Sequence, residues 1–226
     1  MPIFDAFAEK YDSWFSTPMG RYVAAAEKRL TLELAAPVQG EKMIDIGIGT
    51  GFFTIDFLKR GLDITGIDIS AEMMSVARNK GFTHLSLGNA CDIPFGDEIF
   101  SLVLSITALE FIKEPGRAVS EMMRVCKKGG RIVVGTLGAH SLWALKRKRE
   151  AKNNPDSVFN YAHFYTFSEL RELALSFGNR VSVKGAVFAP PYDNALSIIT
   201  GKIIERPCQR LCPGMGAFLI FRIDKE

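Results

Sequence analysis

Met43-Ile44-Asp45-Ile46-Gly47-Ile48-Gly49-Thr50-Gly51-Phe52-Phe53 decides how this chain is built. Met43 to Ile46 is a short apolar run carrying one acid, the composition of a strand buried on both faces of a parallel sheet. Three glycines at alternate positions interrupt it, and Phe53-Thr54-Ile55-Asp56-Phe57-Leu58 resumes with helical spacing. The order is therefore strand, glycine turn, helix. Glycine is needed where the backbone takes a positive φ or must approach a ligand with no Cβ between them, and the first turn of a helix offers N–H groups without partners. Such a turn is either a nucleotide cradle or a plain tight connection in an α/β protein, and residues further along must separate the two.

At 226 residues and 47% hydrophobic, the chain fits one domain of the α/β size range with room for a large core. Its formal net charge of +3 is too near balance for a dedicated nucleic-acid binder. Asp5, Glu9, Lys10 and Asp12 in the first turns leave no signal-peptide apolar core, and no apolar run approaches membrane-spanning length, so a cytoplasmic protein is expected. Cys91, Cys126, Cys208 and Cys212 are too few and too scattered for a disulfide scaffold. Cys208 and Cys212 lack a neighbouring Cys or His pair, which makes them free thiols rather than half a zinc site, and no metal is expected.

The glycine spacing departs from a dinucleotide fingerprint, G-x-G-x-x-G, because Phe52 stands at the third position and Gly51 comes one residue early. Asp45, two residues ahead of Gly47, suits a ligand that carries an amino group. Leu62 to Ile69 reads as the second strand, with Asp68 near its tip, 21 positions after Gly47. An acid about 20 residues on can accept both ribose hydroxyls. Capping of the next helix, Ala71 to Lys80, is the competing role, and Ser70 fills it equally well. After a third strand, His84 to Leu87, comes Gly88-Asn89-Ala90-Cys91-Asp92-Ile93-Pro94-Phe95. Asn89 has a carbonyl to accept from the amine of a base and an amide to donate to its ring; Asp92 is the alternative acceptor, and a turn-forming Asn is the bland reading. Strand Phe100 to Ile106, helix Gly116 to Lys127, Gly129-Gly130 and strand Arg131 to Thr136 complete five β-α repeats.

The pattern D-x-G-x-G-x-G over 45–51, the acid at 68 and the G-N-A-x-x-I-P-F segment over 88–95 together resemble class I S-adenosylmethionine (SAM)-dependent methyltransferases, over residues 40–136. F-D-x-x-A-x-x-Y-D-x-W over 4–14 resembles the opening of the ubiquinone/menaquinone-biosynthesis type of these enzymes. The resemblance implies a Rossmann-like, doubly wound α/β fold with a seven-stranded sheet in the order 3-2-1-4-5-7-6, its last strand antiparallel. It implies SAM as cofactor, S-adenosylhomocysteine as product, and a cofactor site made of Tyr11, Asp45, Gly47, Gly49, Thr50, Gly51, Asp68, Ile69, Met73, Asn89, Ala90, Cys91 and Ser105. It also implies that the carboxyl end of the fourth strand faces the methyl group. Many relatives carry His where this chain has Phe111, which removes one route to deprotonating a substrate.

Residues 3–16 place Phe4, Phe7, Tyr11, Trp14 and Phe15 at three- and four-residue steps, which predicts an amphipathic helix that either packs on the domain or closes over the cofactor. A second helix is expected from Met19 to Ala35, ended by Pro37. Residues 141–152 read as a helix whose basic run, Lys146 to Arg149, is a solvated face. The aromatic cluster Phe159 to Phe167 either caps the substrate pocket or joins the core, and a helix from Ser168 to Phe177 follows. A sixth strand, Val181 to Phe188, a helix over 192–206 and a last strand, Gly216 to Ile223, end the chain. The expected division is a helical lid over 1–37, a SAM-binding core over 38–136, a cap over 137–178 and C-terminal strands over 179–226, within a single domain.

A sulfonium methyl is already activated, so transfer in line needs little beyond holding a nucleophile about 3 to 3.5 Å away. Where a base helps, Glu110, His163 and Tyr165 are candidates that the sequence does not rank. Tyr11 and Trp14 could face the sulfonium with their rings. Because the appended segments are apolar and aromatic, a small-molecule acceptor is the leading expectation. Alternatives are an RNA or protein methyltransferase docking through Lys146 to Arg149, a SAM-binding module without catalysis and, more distantly, an NAD-dependent oxidoreductase, which Phe52 opposes. A homodimer is left open.

Overall fold

The computed structural model describes residues 3–226. Lys42–Ile46 (β1), Asp63–Asp68 (β2), His84–Leu87 (β3), Phe100–Ile106 (β4), Cys126–Leu137 (β5), Val181–Ala186 (β6) and Phe218–Asp224 (β7) form one sheet in the order β3-β2-β1-β4-β5-β7-β6. The first five run parallel, and β7 enters antiparallel between β5 and β6. This is the doubly wound sheet expected from the sequence.

The apolar runs of β1, β4 and β5 are buried on both sides because helices cover both faces. On one face Pro18–Ala35 (α1) lays Met19, Val23, Leu30 and Leu34 against Met43, Leu102 and Val133, with Phe57 from Ile55–Leu58 (α2) and Met74 from Ala71–Asn79 (α3) completing the layer. On the other, Val119 and Met122 of Pro115–Val125 (α4) and Leu170 of Phe167–Leu175 (α6) pack on Ile44, Val103 and Phe221. Leu142–Asn153 (α5) and Ala195–Leu211 (α7) flank this body.

Several elements differ from the sequence reading. Residues 3–16 form two 3-10 segments, Asp5–Phe7 and Tyr11–Ser16, instead of an amphipathic α-helix. Asp5 and Asp12 are drawn out to hydroxyls of the main body, and short 3-10 pieces accommodate such anchoring. Strand β5 begins at Cys126 and absorbs the Gly129-Gly130 pair, because Gly129 N–H donates to Lys225 O (2.8 Å) and Gly130 O accepts from Lys225 N–H (2.9 Å). Helix α6 starts one residue early: Thr166 is its cap, with Glu169 returning the bond to the Thr166 N–H, a reciprocal capping box. Strand β6 stops at Ala186, before Val187 turns to φ +65°, and α7 runs past its expected end through Pro207. Among the described residues no helix is long and apolar enough to cross a membrane.

Candidate active site

Strand order reverses between β1 and β4, and in open α/β sheets the crevice beyond the carboxyl ends at such a point is where ligands bind. A cavity of about 740 Å³ lies there, walled by the loops after β1, β2, β3 and β4 and roofed by Ile3, Phe4 and Tyr11.

The glycine turn shapes its floor. Gly49 has φ +54°, and a Cβ built on it meets nothing within 4 Å, so its missing side chain is space facing the cavity. Gly51 has φ +72°, and a Cβ there would lie 2.4 Å from the Phe82 ring. Gly51 thus serves close packing and does not line the cavity, whereas Gly47, Gly49 and Thr50 do. Phe52, at the position where a dinucleotide turn needs glycine, stacks on Phe15 at 3.9 Å and has the Lys28 ammonium over its ring at 4.2 Å.

Asp68 ends β2 at the cavity edge. Its Oδ2 accepts from Gly49 N–H (2.8 Å) and its Oδ1 from Ser70 N–H (2.9 Å), while Ser70 Oγ caps α3 by accepting from Met73 N–H (3.1 Å). A carboxylate offers roughly four lone-pair sites, so about two remain for a ligand. Burial pushes the Asp68 carboxyl above its ordinary range, and the bonds from Ser70 and Gly49 N–H pull it back. Ile69 and Met73 line the wall beside it.

Asn89, Ala90, Cys91 and Asp92 form the opposite wall. The Asn89 Oδ1 accepts from Cys91 N–H (2.9 Å), so its carbonyl makes a local turn while its amide group is uncommitted there. Burial raises the Cys91 thiol. Thr107, just past β4, holds φ +53°, a conformation that costs a β-branched residue roughly 1–3 kcal/mol and is characteristic of functional sites.

Besides Gly51, two further residues of the expected set lie behind the cavity. Asp45 is buried under the turn, paired with the Thr54 hydroxyl, and burial pushes its carboxyl up to about 7. Ser105 donates to Ile46 O (2.8 Å), tying β4 to β1.

The N-terminal segment is latched over this site. Asp12 accepts from Thr50 Oγ1 (2.7 Å) and pairs with Lys80, and Asp5 accepts from Ser70 Oγ (2.6 Å). Tyr11 faces the cavity, and burial lifts its phenol to about 12.

A second chamber, about 360 Å³, adjoins the first and shares Phe4, Tyr11, Phe53, Thr107 and Phe111 with it. Trp14 lines this chamber and not the larger one. Of the three candidate bases, only Glu110 lines either space. His163 is exposed and 3.7 Å from Glu169, and Tyr165 is packed in the core with its phenol raised by burial to about 12. Two residues that the sequence reading did not assign to the site complete the chamber, Glu27 of α1 and Arg147 of α5, the latter turned inward onto Trp143 and Phe159 although the basic run was expected to be a solvated face. Position 27 falls on the apolar stripe of α1 with Val23, Leu30 and Leu34, so an acid in that stripe was the available signal. Arg147 gave none, standing among four consecutive basic residues.

Residues 44–134 match the family described as "Methyltransferase domain". An uncharacterized protein of Methanocaldococcus jannaschii is 32% identical over 178 residues, covering 79% of this chain and 81% of that protein. The phosphatidylethanolamine N-methyltransferase of Cereibacter sphaeroides is 31% identical over 139 residues, 58% of this chain and 67% of that enzyme. The chain belongs to the methyltransferase-domain family. It is a SAM-dependent methyltransferase, and SAM is its cofactor. The methyltransferase also shares its fold with a SAM-dependent methyltransferase of Thermotoga maritima, at TM-score 0.76 and 24% identity over 99% of both chains. The cavity suits this donor: Gly49 leaves room for close approach, Asp68 has lone pairs to spare for a sugar, and Tyr11 forms part of the wall shared with the chamber.

Proposed function

We propose that this methyltransferase acts on a small molecule held in the 360 Å³ chamber, with SAM in the larger cavity next to it. SAM supplies an activated sulfonium methyl, and the chain's own task is to hold an acceptor in line with it. In this reading Asp68 accepts from the ribose hydroxyls, and Ile69, Met73, Asn89, Ala90 and Cys91 surround the adenine, with Asp92 as the alternative acceptor for its amine. Gly47, Gly49 and Thr50 run along the amino-acid portion. Gly51, Asp45 and Ser105 support the turn from behind, and Tyr11 presents its ring to the cation.

The observation that carries the proposal is the wall shared by the two spaces, Phe4, Tyr11, Phe53, Thr107 and Phe111, which leaves an acceptor in the chamber next to the donor. The chamber is aromatic and closed by residues of 3–35 and 142–159, so these appended segments act as lid and cap around the core of 38–136. The similarity to a phosphatidylethanolamine N-methyltransferase supports a small acceptor. The four free thiols accord with a cytoplasmic setting.

Incubating the protein with methyl-labelled SAM and a fractionated cell extract tests this. Label is expected in the small-molecule fraction, and label confined to RNA or protein would overturn it.

A further inference from the structure

The acceptor chamber is walled by more acids than cations. Glu27 (5% exposed) and Glu110 (2% exposed) both line it, and Arg147 is the one guanidinium that faces them. Lys146, on the same helix, donates to Pro191 O (3.0 Å) and sits 3.9 Å from Glu150, so that pair balances itself. Glu205 lies near Glu27 outside the chamber lining and is engaged by Tyr22 OH (2.8 Å) and Val187 N–H (2.9 Å). Tyr11 and Tyr165, the other ionisable groups near Glu110, have phenols that burial keeps neutral. With both acids ionised the chamber would therefore carry one carboxylate more than its cation can balance.

One oxygen is also without a partner. Glu110 Oε2 accepts from Thr136 Oγ1 (3.0 Å), but its Oε1 is buried and unbonded among the described residues. Around these acids stand aromatic faces: Trp14 and Trp143 meet edge to face at 6.0 Å, and Arg147 already uses Trp143 and Phe159 as cation platforms at 5.3 and 5.2 Å. A carboxylate guest brings Glu110 Oε1 neither a donor nor a balancing charge and a neutral hydroxyl brings the donor alone, whereas an ammonium brings both.

We infer that the chamber takes its acceptor as a protonated amine, seated against Glu110 and Glu27 within the aromatic wall. The inference rests on the small-molecule reading above and names the class of that molecule. Burial pushes the Glu110 carboxyl up to about 7 and Glu27 to about 8, with Arg147 pulling both back down, so the empty chamber holds protons near neutrality and an arriving cation displaces them. Glu110 is then the group that frees the nucleophile. An N–H bond of the ammonium breaks, its electron pair stays on nitrogen, and the proton forms an O–H bond on the carboxylate.

The chain has two tryptophans, Trp14 and Trp143, and both line this chamber, so intrinsic fluorescence reports on it. Protein saturated with S-adenosylhomocysteine is titrated with 2-phenylethylamine, 2-phenylethanol and phenylacetate. The amine is expected to give a saturable change at pH 8, weakening as pH falls to 6 while the carboxylates take up protons. The alcohol and the acid should bind at least about ten-fold more weakly. Glu110→Gln and Glu27→Gln should each weaken the amine about ten-fold and leave the heat of SAM binding intact, which also shows that the variants fold. No saturable response to the amine, or equal or tighter binding of the alcohol or acid, would overturn the inference on unaltered protein alone; so would wild-type affinity in both folded variants. A flat amine titration with methyl transfer to some other small molecule sinks this inference alone, whereas label confined to RNA or protein sinks the reading beneath it.

Discussion

Asp68 and Glu110 are two acids at the same edge of the sheet, one at the end of β2 and the other just past β4, yet they are held in opposite ways. Asp68 is gripped by two backbone N–H groups, from Gly49 and Ser70, that belong to the loops it helps shape. Glu110 has one bond, from the Thr136 hydroxyl, and one buried oxygen with none. The cofactor cavity is thus organised by backbone geometry that a short motif can encode. The chamber proposed for the acceptor is assembled from side chains on distant segments, with acids that outnumber its cations. Pre-organisation on one side and an unmet need on the other suit a constant donor and a selected acceptor.

The sharpest way to break that contrast is at the turn itself. Gly51→Ala forces a Cβ onto the Phe82 ring at a left-handed φ, and should lower unfolding free energy by about 3 kcal/mol or more in denaturant titration. A loss under about 1 kcal/mol would mean the turn is not rigid.

Next comes Asp68→Asn, expected to weaken SAM ten-fold or more by calorimetry, since a charged acceptor for buried hydroxyls is worth about 1.5–3 kcal/mol. Glu110→Gln should leave SAM affinity within about two-fold. If both variants lose SAM binding together, the two regions do not work separately.

The acids also separate by pH. Glu27 and Glu110 have folded-state values of about 8 and about 7, raised above the unfolded value of about 4.3, so between those limits the folded chain binds more protons than the unfolded one. Their contribution is therefore fully present below about pH 4.3 and is lost as pH climbs toward 8. Asp45, at about 7, acts in the same direction from beneath the glycine turn. Glu27→Gln should flatten part of this slope and stabilise the protein at pH 8 by about 1–3 kcal/mol, read from denaturant midpoints at pH 5 and 8. A wild-type slope in this variant would place the titration elsewhere.

The smallest effect is at the latch. Asp12→Ala removes the bonds to Thr50 and Lys80, partly exposed contacts worth about 0.2–1 kcal/mol. Faster hydrogen exchange over residues 3–16 is expected, with little change in β1 to β5. Unchanged exchange there would leave the Asp5–Ser70 bond and aromatic packing as the tethers.

Much of the first region was legible because each of its requirements falls on one residue type at one spacing. Buried strands demanded apolar runs, the turn demanded glycine, and the acid followed at the expected offset. The second region hid because a charge on a helix ordinarily faces water, so Arg147 within its basic run carried no sign of turning inward. Glu27 did carry one, being an acid in an apolar stripe. The 3-10 geometry of residues 3–16 was out of reach for a different reason. Over so short a segment, aromatic steps of three and four fit either helix, and the choice is made by Asp5 and Asp12 bonding to residues far along the chain. Likewise Gly129-Gly130 reads as a break until the pairing with Lys225 makes it strand.

A crystal structure with S-adenosylhomocysteine bears most directly on the central claim. Both ribose hydroxyls should lie within hydrogen-bonding distance of the Asp68 carboxylate, about 2.6–3.0 Å, with the adenine against Asn89 and the sulfur toward Tyr11 and the shared wall. An adenosyl group lodged in the chamber of Glu27 and Glu110, or a ribose out of reach of Asp68, would contradict it.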